Sequence, residues 1–221
     1  AAPEVPRVGG VPKALLNQWA YEGERVIHGN PSGVDNTCSV YGGGVIYQKG
    51  KSIEFINDFP SVHIIITNTR VGRSTGKLVA GVAALRDVLP GPVGHVMSAM
   101  DCIAGEWAQL VRRCDQSKQG WESEFCHEAE ALISLNQSLL DGIGVNHAAI
   151  RAIVAVGSKH GLHSKLTGAG GGGCVISLVP PGIAPAALRA FEQEVTALGF
   201  EVMQCTMGQG GAEVHPVAKL C

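Results

Sequence analysis

The most restrictive stretch of this sequence is the glycine run Gly168-Ala-Gly-Gly-Gly-Gly173. Glycine weakens helices and strands and readily adopts positive φ, so the run predicts an irregular loop. It matches the GxGxxG pattern of dinucleotide-binding folds, but those folds need a helix directly after the glycines. Residues 174–179 predict a β-branched strand instead, which ends at Pro180. Two interpretations remain: a loop that aims backbone N–H groups at an anion, and a hairpin without a ligand.

A second unusual stretch is His28-Gly-Asn-Pro-Ser-Gly-Val-Asp-Asn36, which places an imidazole, a hydroxyl and a carboxylate in one tightly turned loop. Ser32 followed by Asp35 predicts a capping box at the start of a short helix. Asp35 would then lie in the first turn, where the helix dipole favours its ionised form. Such a carboxylate is suited to accept or orient a hydroxyl proton. The alternative is a solvated turn with an ordinary helix cap.

Composition excludes several classes of protein. The chain has 221 residues, 45% of them hydrophobic, with 17 basic against 19 acidic side chains. The net charge of −2 argues against a nucleic-acid partner, and no apolar run approaches the length of a membrane span. Seven dispersed cysteines without a CxxC pair predict reduced thiols in a cytoplasmic protein and argue against a zinc site.

The pattern along the chain predicts an α+β fold. Residues 1–12 predict a loop or an entry linker, 13–26 a helix, and 45–47 with 52–56 a hairpin, with a domain boundary near 57–60. Beyond it, strands are expected at 62–67, about 162–166, 174–179 and 200–206. Helices are expected at 76–89, 93–113, 121–141, 146–160 and 185–198, with Pro90-Gly91-Pro92 as a separator. This order suggests an antiparallel sheet covered by helices on one face.

The stretches HGNPSGVDN at 28–36 and KLTGAGGGGC at 165–174, in this order, resemble the GHMP superfamily of small-molecule kinases. Within the superfamily, the residues of these two stretches are most similar to those of the mevalonate kinases. The resemblance implies that residues 60–221 form the ferredoxin-like C-terminal domain of these kinases. Residues 1–59 would then be the last helix–loop–hairpin piece of the N-terminal domain.

The resemblance also implies roles for particular residues. Asp35 is expected to be the catalytic carboxylate, and Glu24 to be a magnesium ligand. Substrate or phosphate binding is expected at His28, Ser32, Arg73, Thr75, Gly168, Ala169, Gly170, Gly171 and Gly172. For Arg73 and Thr75 the residues leave an alternative open, a surface turn in which Ser74 or Thr75 caps a helix.

As part of a longer enzyme, the chain is expected to act with ATP, Mg²⁺ and mevalonate, in a homodimer. The family's phosphate-cradling loop and its N-terminal lysine are not found in these 221 residues, so the chain alone is expected to be inactive. Two alternatives remain. One is another GHMP kinase, such as a phosphomevalonate or galactose kinase, and the other is a non-catalytic binding or dimerisation module.

Overall fold

The computed structural model describes residues 6–29, 31–48, 50–56, 59–117 and 123–215, and these fall into two units. The first unit contains the described residues up to Phe59 and those from Met207 onward. The second unit runs Pro60–Thr206. Along the chain the second unit begins at Pro60. The division into two family domains, residues 1–59 and 60–221, stays a prediction.

The first unit is built from two short hairpins and two helices. Strands β1 (Arg7–Val8) and β2 (Val11–Pro12) pair antiparallel, as do β3 (Gly44–Ile46) and β4 (Glu54–Ile56). Between them lie helices α1 (Lys13–His28) and α2 (Val34–Tyr41). The expectation of a loop over the first twelve residues was wrong for residues 7–12, because Gly9 and Gly10 turn the chain back on itself at positive φ.

The segment after Met207 joins the first unit through backbone contacts, which the predicted domain limits did not anticipate. Gly43 N–H donates to the carbonyl of Gln209 at 3.1 Å, and Ala212 N–H donates to the carbonyl of Val40 at 3.1 Å. Gly42 and Gly210 form an isolated antiparallel bridge between these contacts. Backbones approach this closely because neither residue carries a side chain.

The second unit is a four-stranded sheet with helices inserted between its strands. Its strands are β5 (Val62–Asn68), β6 (His163–Leu166), β7 (Cys174–Leu178) and β8 (Glu201–Met207), in the spatial order β6-β7-β5-β8. Its helices are α3 (Thr75–Val88), α4 (Pro90–Ser117), α5 (Ser123–Gly142), α6 (Ala148–Lys159) and α7 (Pro185–Ala197). β7 runs antiparallel to both β5 and β6. The predicted α+β, ferredoxin-like architecture is confirmed.

The core of the second unit lies between the sheet and helices α6 and α7. Its fully buried side chains include Phe191 on α7, Ile150 and Ile153 on α6, and Ile65 and Val175 on the sheet. Burial of side chains of this size contributes about 1.5–3 kcal/mol each to folding. This core therefore fixes the strand ends between which the glycine run lies.

The predicted break between α3 and α4 is present, but it lies at Leu89 and not over Pro90-Gly91-Pro92, because α4 begins at Pro90. The N–H groups of a first helical turn have no partner within the helix, so proline is tolerated there. Among the described helices, none is long and apolar enough to cross a membrane.

Candidate active site

The glycine run forms an irregular loop between β6 and β7, which we call the glycine loop (residues 167–173). Five of its residues have positive φ: Gly168, Gly170, Gly171, Gly172 and Gly173. At four of them, Gly170, Gly171, Gly172 and Gly173, an added side chain would also collide with neighbouring atoms. A Cβ on Gly171 would lie 2.8 Å from Cδ1 of Leu78, and one on Gly172 would lie 2.7 Å from the carbonyl oxygen of Val71.

The glycine loop is held against the second unit by its own backbone. Gly171 N–H donates to the carbonyl of Val145 at 2.8 Å, and Gly173 N–H donates to the carbonyl of Val71 at 3.3 Å. The carbonyl of Gly173 accepts two bonds from Thr69, from its N–H at 2.9 Å and from its hydroxyl at 2.8 Å. The glycines therefore allow close packing within the protein. The sequence analysis had instead attributed them to the close approach of a ligand.

Other backbone groups of the same loop remain available to a ligand. Within the described residues, no hydrogen bond is made by the N–H groups of Gly168, Ala169, Gly170 or Gly172. Successive N–H groups in a loop of left-handed residues form a concave anion site. These N–H groups can therefore offer a partial positive charge to an anion such as phosphate.

Arg73 adds a full positive charge beside this loop. Its Nη1 donates to the carbonyl of Thr167 at 3.1 Å, so the guanidinium lies across the start of the loop. A Cβ on Gly168 would come within 3.4 Å of Arg73 Nη2. The side chain is otherwise exposed, which leaves donors for an anionic ligand.

Thr75 lies two residues further on, at the first position of α3. The helix is capped by Ser74, whose hydroxyl accepts a bond from Lys77 N–H at 3.5 Å. Thr75 is exposed and does not act as the cap. Because Ser74 caps the helix, the backbone position of Thr75 is fixed at the start of α3. Arg73 and Thr75, two of the predicted binding residues, thus lie close together in the second unit, between the end of β5 and the first residue of α3.

A partly buried lysine lies two residues before the loop. Lys165 on β6 donates from Nζ to the carbonyl of Leu166 at 2.8 Å. Burial lowers the pKa of Lys165 below its ordinary value of 10.5. Desolvation disfavours the charged ammonium, so this lysine loses its proton more readily than a surface lysine.

The two predicted carboxylates lie on neighbouring helices of the first unit. Asp35 is in the first turn of α2, as predicted, and is exposed. Glu24 is half-buried on α1, one turn before the helix ends. The predicted capping box was wrong: the N-cap is Gly33, and the hydroxyl of Ser32 accepts from Val34 N–H at 3.3 Å. Gly33 takes that position because it adopts the left-handed conformation, with φ 82°.

Buried amide side chains join these two helices. Asn36 Nδ2 donates to Oδ1 of Asn17 at 2.7 Å, and Asn17 Nδ2 donates to the hydroxyl of Thr37 at 3.4 Å. Beside them, burial and then the charge of Asp35 raise the pKa of the Cys38 thiol. The network fixes α1 against α2, and with it the segments that carry Glu24 and Asp35.

Metal binding by the described residues is limited. In the ranges that the structure describes, no three His, Cys, Asp or Glu side chains lie close enough together to bind an ion. The side chain of His28, a predicted binding residue, lies outside the described part. Glu24 and Asp35 supply oxygen donors of the kind Mg²⁺ prefers, so they fit such an ion as part of a larger ligand set.

Sequence reasoning missed the framework of the glycine loop. Thr69, Val71 and Val145 contact the loop from positions 26 to 104 residues away, and only the fold brings them there. Thr69 carried a weak signal, as a hydroxyl directly after the β-branched strand over 62–67. Val145 carried none.

Comparison with known proteins agrees with this architecture. Residues 124–197 match the family described as GHMP kinases C terminal. Mevalonate kinase of Mus musculus is 40% identical over 203 residues, which is 92% of this chain and 50% of the mouse protein. Mevalonate kinase of Arabidopsis thaliana is 40% identical over 200 residues, covering 90% of this chain and 51% of the plant protein. The chain therefore spans about half the length of these relatives.

A crystal structure of L. major mevalonate kinase in complex with R-mevalonate has a TM-score of 0.75 to this chain, with 23% identity. The superposition covers 91% of this chain and 60% of the other. At this identity the likeness supports the fold. Residues 124–197 thus match the C-terminal domain of the GHMP kinases, and the chain as a whole is similar to the mevalonate kinases.

Proposed function

We propose that this chain is part of a mevalonate kinase, which transfers the γ-phosphoryl group of ATP to the primary hydroxyl of mevalonate. The observation that carries the proposal is the 40% identity with mevalonate kinases over nine-tenths of the chain. That coverage includes residues of both units, and with them the stretch around Asp35 and the glycine loop.

Phosphoryl transfer leaves a protein mainly with positioning and charge stabilisation to do. The unpaired N–H groups of Gly168, Ala169, Gly170 and Gly172 would bind phosphate oxygens of ATP, and Arg73 would neutralise part of their charge. Gly171 would contribute by fixing the shape of the loop, because its N–H is already bound to Val145.

Asp35 would accept or orient the proton of the attacking hydroxyl, because its carboxylate is exposed in the first turn of α2. His28, Ser32 and Thr75 would supply further contacts to substrate or phosphate. Glu24 would hold Mg²⁺ through a carboxylate oxygen, and that ion neutralises phosphate charge when it is bound.

Three further parts of the proposal concern the compartment, the oligomeric state and the activity of this chain alone. We place it in the cytoplasm, as a homodimer. The described residues offer one glycine loop and no cluster of three metal-ligating side chains. Triphosphate binding usually needs several converging donors together with a well-held cation, so we propose that this chain alone is inactive.

Binding measurements test the proposed substrates. A chimera would join the N-terminal half of the mouse mevalonate kinase to this chain. It would be titrated by calorimetry with Mg²⁺ and a non-hydrolysable ATP analogue, and then with mevalonate, phosphomevalonate, galactose and homoserine in separate runs. We expect tight binding of the nucleotide and of mevalonate alone among the four acceptors. Preference for another acceptor would assign the chain to a different GHMP kinase.

A further inference from the structure

β6 is an edge strand of the four-stranded sheet, with β7 on one side only. N–H groups along such a strand alternate between the neighbouring strand and the open side. Thr167 N–H donates towards β7, to the carbonyl of Cys174 at 3.0 Å. The N–H of the preceding residue, Leu166, therefore faces the open side, and Leu166 is buried, with 1% of its surface exposed. A buried N–H in that position needs a partner from the protein.

Gln137 on α5 supplies that partner. Its Oε1 accepts the bond from Leu166 N–H at 2.8 Å, and the Gln137 side chain is itself buried. Its Nε2 has no partner among the described residues. An unsatisfied buried donor costs stability. We therefore attribute the presence of an amide at position 137 to the bond that its Oε1 accepts from Leu166.

The bond lies at the entrance of the glycine loop. Leu166 is followed by Thr167, whose carbonyl accepts the bond from Arg73, and then by Gly168. A change in the position of Leu166 would therefore displace both the guanidinium and the first loop N–H. Gln137 holds that position from α5, which in the described part of the chain makes no other hydrogen bond to residues 166–173.

We propose that Gln137 is a positioning residue, which sets the geometry of the glycine loop for phosphate binding without touching the ligand. The phosphate part of this statement rests on the proposed function. The geometric part, that the Gln137 bond orders residues 166–173, does not depend on it.

Amide hydrogen exchange on the 221-residue chain tests the geometric part. Gln137→Met keeps the size of the side chain and removes the acceptor. We expect exchange at Leu166 to rise about tenfold, with smaller increases through the glycine loop. Gln137→Glu keeps an acceptor in either protonation state and should restore protection to within about threefold of the unmodified chain. Leu140→Val on the same helix is the control for general loss of packing.

The inference is wrong if Leu166 exchanges no faster in Gln137→Met than in Leu140→Val. It is also wrong if Gln137→Glu exchanges as fast at Leu166 as Gln137→Met.

Kinetics of the chimera test the phosphate part. Gln137→Met should raise KM for ATP about five- to tenfold and leave kcat within about twofold, because binding geometry and not chemistry is disturbed. Leu140→Val should change neither. An unchanged KM would overturn the phosphate role. If the unmodified chimera does not use ATP, the proposed function fails, while the exchange data still decide whether Gln137 orders the loop.

Discussion

The N–H of Gly171 donates to the carbonyl of Val145 at 2.8 Å, and this bond joins the middle of the glycine loop to the segment just before α6. The two residues are 26 positions apart in the sequence. Through this contact the loop takes one defined shape before any ligand arrives. Preorganised donors of this kind are worth more to phosphate binding than donors in a mobile loop, because no ordering cost falls on binding.

Substitution of Gly171 tests that shape. Gly171→Ala combines positive φ, 68°, with a Cβ placed 2.8 Å from Leu78, whereas Gly182→Ala has a φ of 79° and open space around its Cβ. Both should lose about 1–2 kcal/mol of unfolding free energy through backbone strain, and Gly171→Ala should lose about 1–3 kcal/mol more. Urea unfolding of the two variants measures the difference. Gly171→Val should in addition abolish activity of the chimera. Equal stability of the two alanine variants would contradict the tight contact.

Asp35→Asn tests the proposed chemistry. The side chain is exposed in the first turn of α2, so the change should lower the free energy of unfolding by no more than about 1 kcal/mol. In the chimera we expect kcat to fall on the order of a hundredfold or more, with KM for ATP nearly constant, because the carboxylate acts mainly in the transition state. Glu22→Gln is the control, since Glu22 forms only an exposed ion pair with Arg25. Activity of Asp35→Asn within a few-fold of the unmodified chimera would remove Asp35 from the mechanism.

Thr69→Val tests the anchor at the other end of the loop. The Thr69 hydroxyl donates to the carbonyl of Gly173 and accepts from Val71 N–H at 3.2 Å, while the residue is 3% exposed. Valine keeps the shape but leaves the Val71 N–H unpaired, which should cost about 1–3 kcal/mol in unfolding free energy. Thr196→Val, at an exposed position on α7, should change stability little. A Thr69→Val chain as stable as the unmodified one would show that these bonds are not needed.

Much of the fold could be predicted from local patterns, and the failures have local physical reasons. The hairpin over 45–56 and α1 followed from residue patterns, and the strands over 62–67 and 174–179 from β-branched runs. Pro90 was interpreted as a helix breaker, although the first turn of α4 needs no N–H from it. Ser32 was interpreted as an N-cap, although Gly33 adopts the left-handed backbone that starts α2.

The site was predictable only in its residue types. Glycines at 168–173 indicated a loop with positive φ, and that is what the structure contains. The protein groups that fill the space beside them, such as Leu78 and Val145, lie far away in sequence. A single sequence does not reveal such long-range contacts, so the glycines looked more available to a ligand than they are.

The partly buried Lys165 predicts a pH dependence of stability. Because burial lowers the pKa of Lys165 in the folded chain, the unfolded chain binds its proton more tightly. The free energy of unfolding should therefore rise with pH, from the lowered pKa up to the unfolded value near 10.5. Lys165→Met should abolish this contribution, whereas Lys77→Met, at an exposed position, should retain it. Urea unfolding at a series of alkaline pH values gives the slopes, and an unchanged slope in Lys165→Met would contradict the assignment.

The most direct test of the central claim is the steady-state rate of ADP release with mevalonate and Mg²⁺–ATP, measured for the chimera and for the 221-residue chain. We predict mevalonate-dependent turnover of the chimera in the usual range for kinases, about 1–100 s⁻¹, and none above background for the chain alone. A folded, nucleotide-binding chimera without mevalonate-dependent ADP release would contradict the proposed function. Turnover by the chain alone would show that these residues suffice for catalysis.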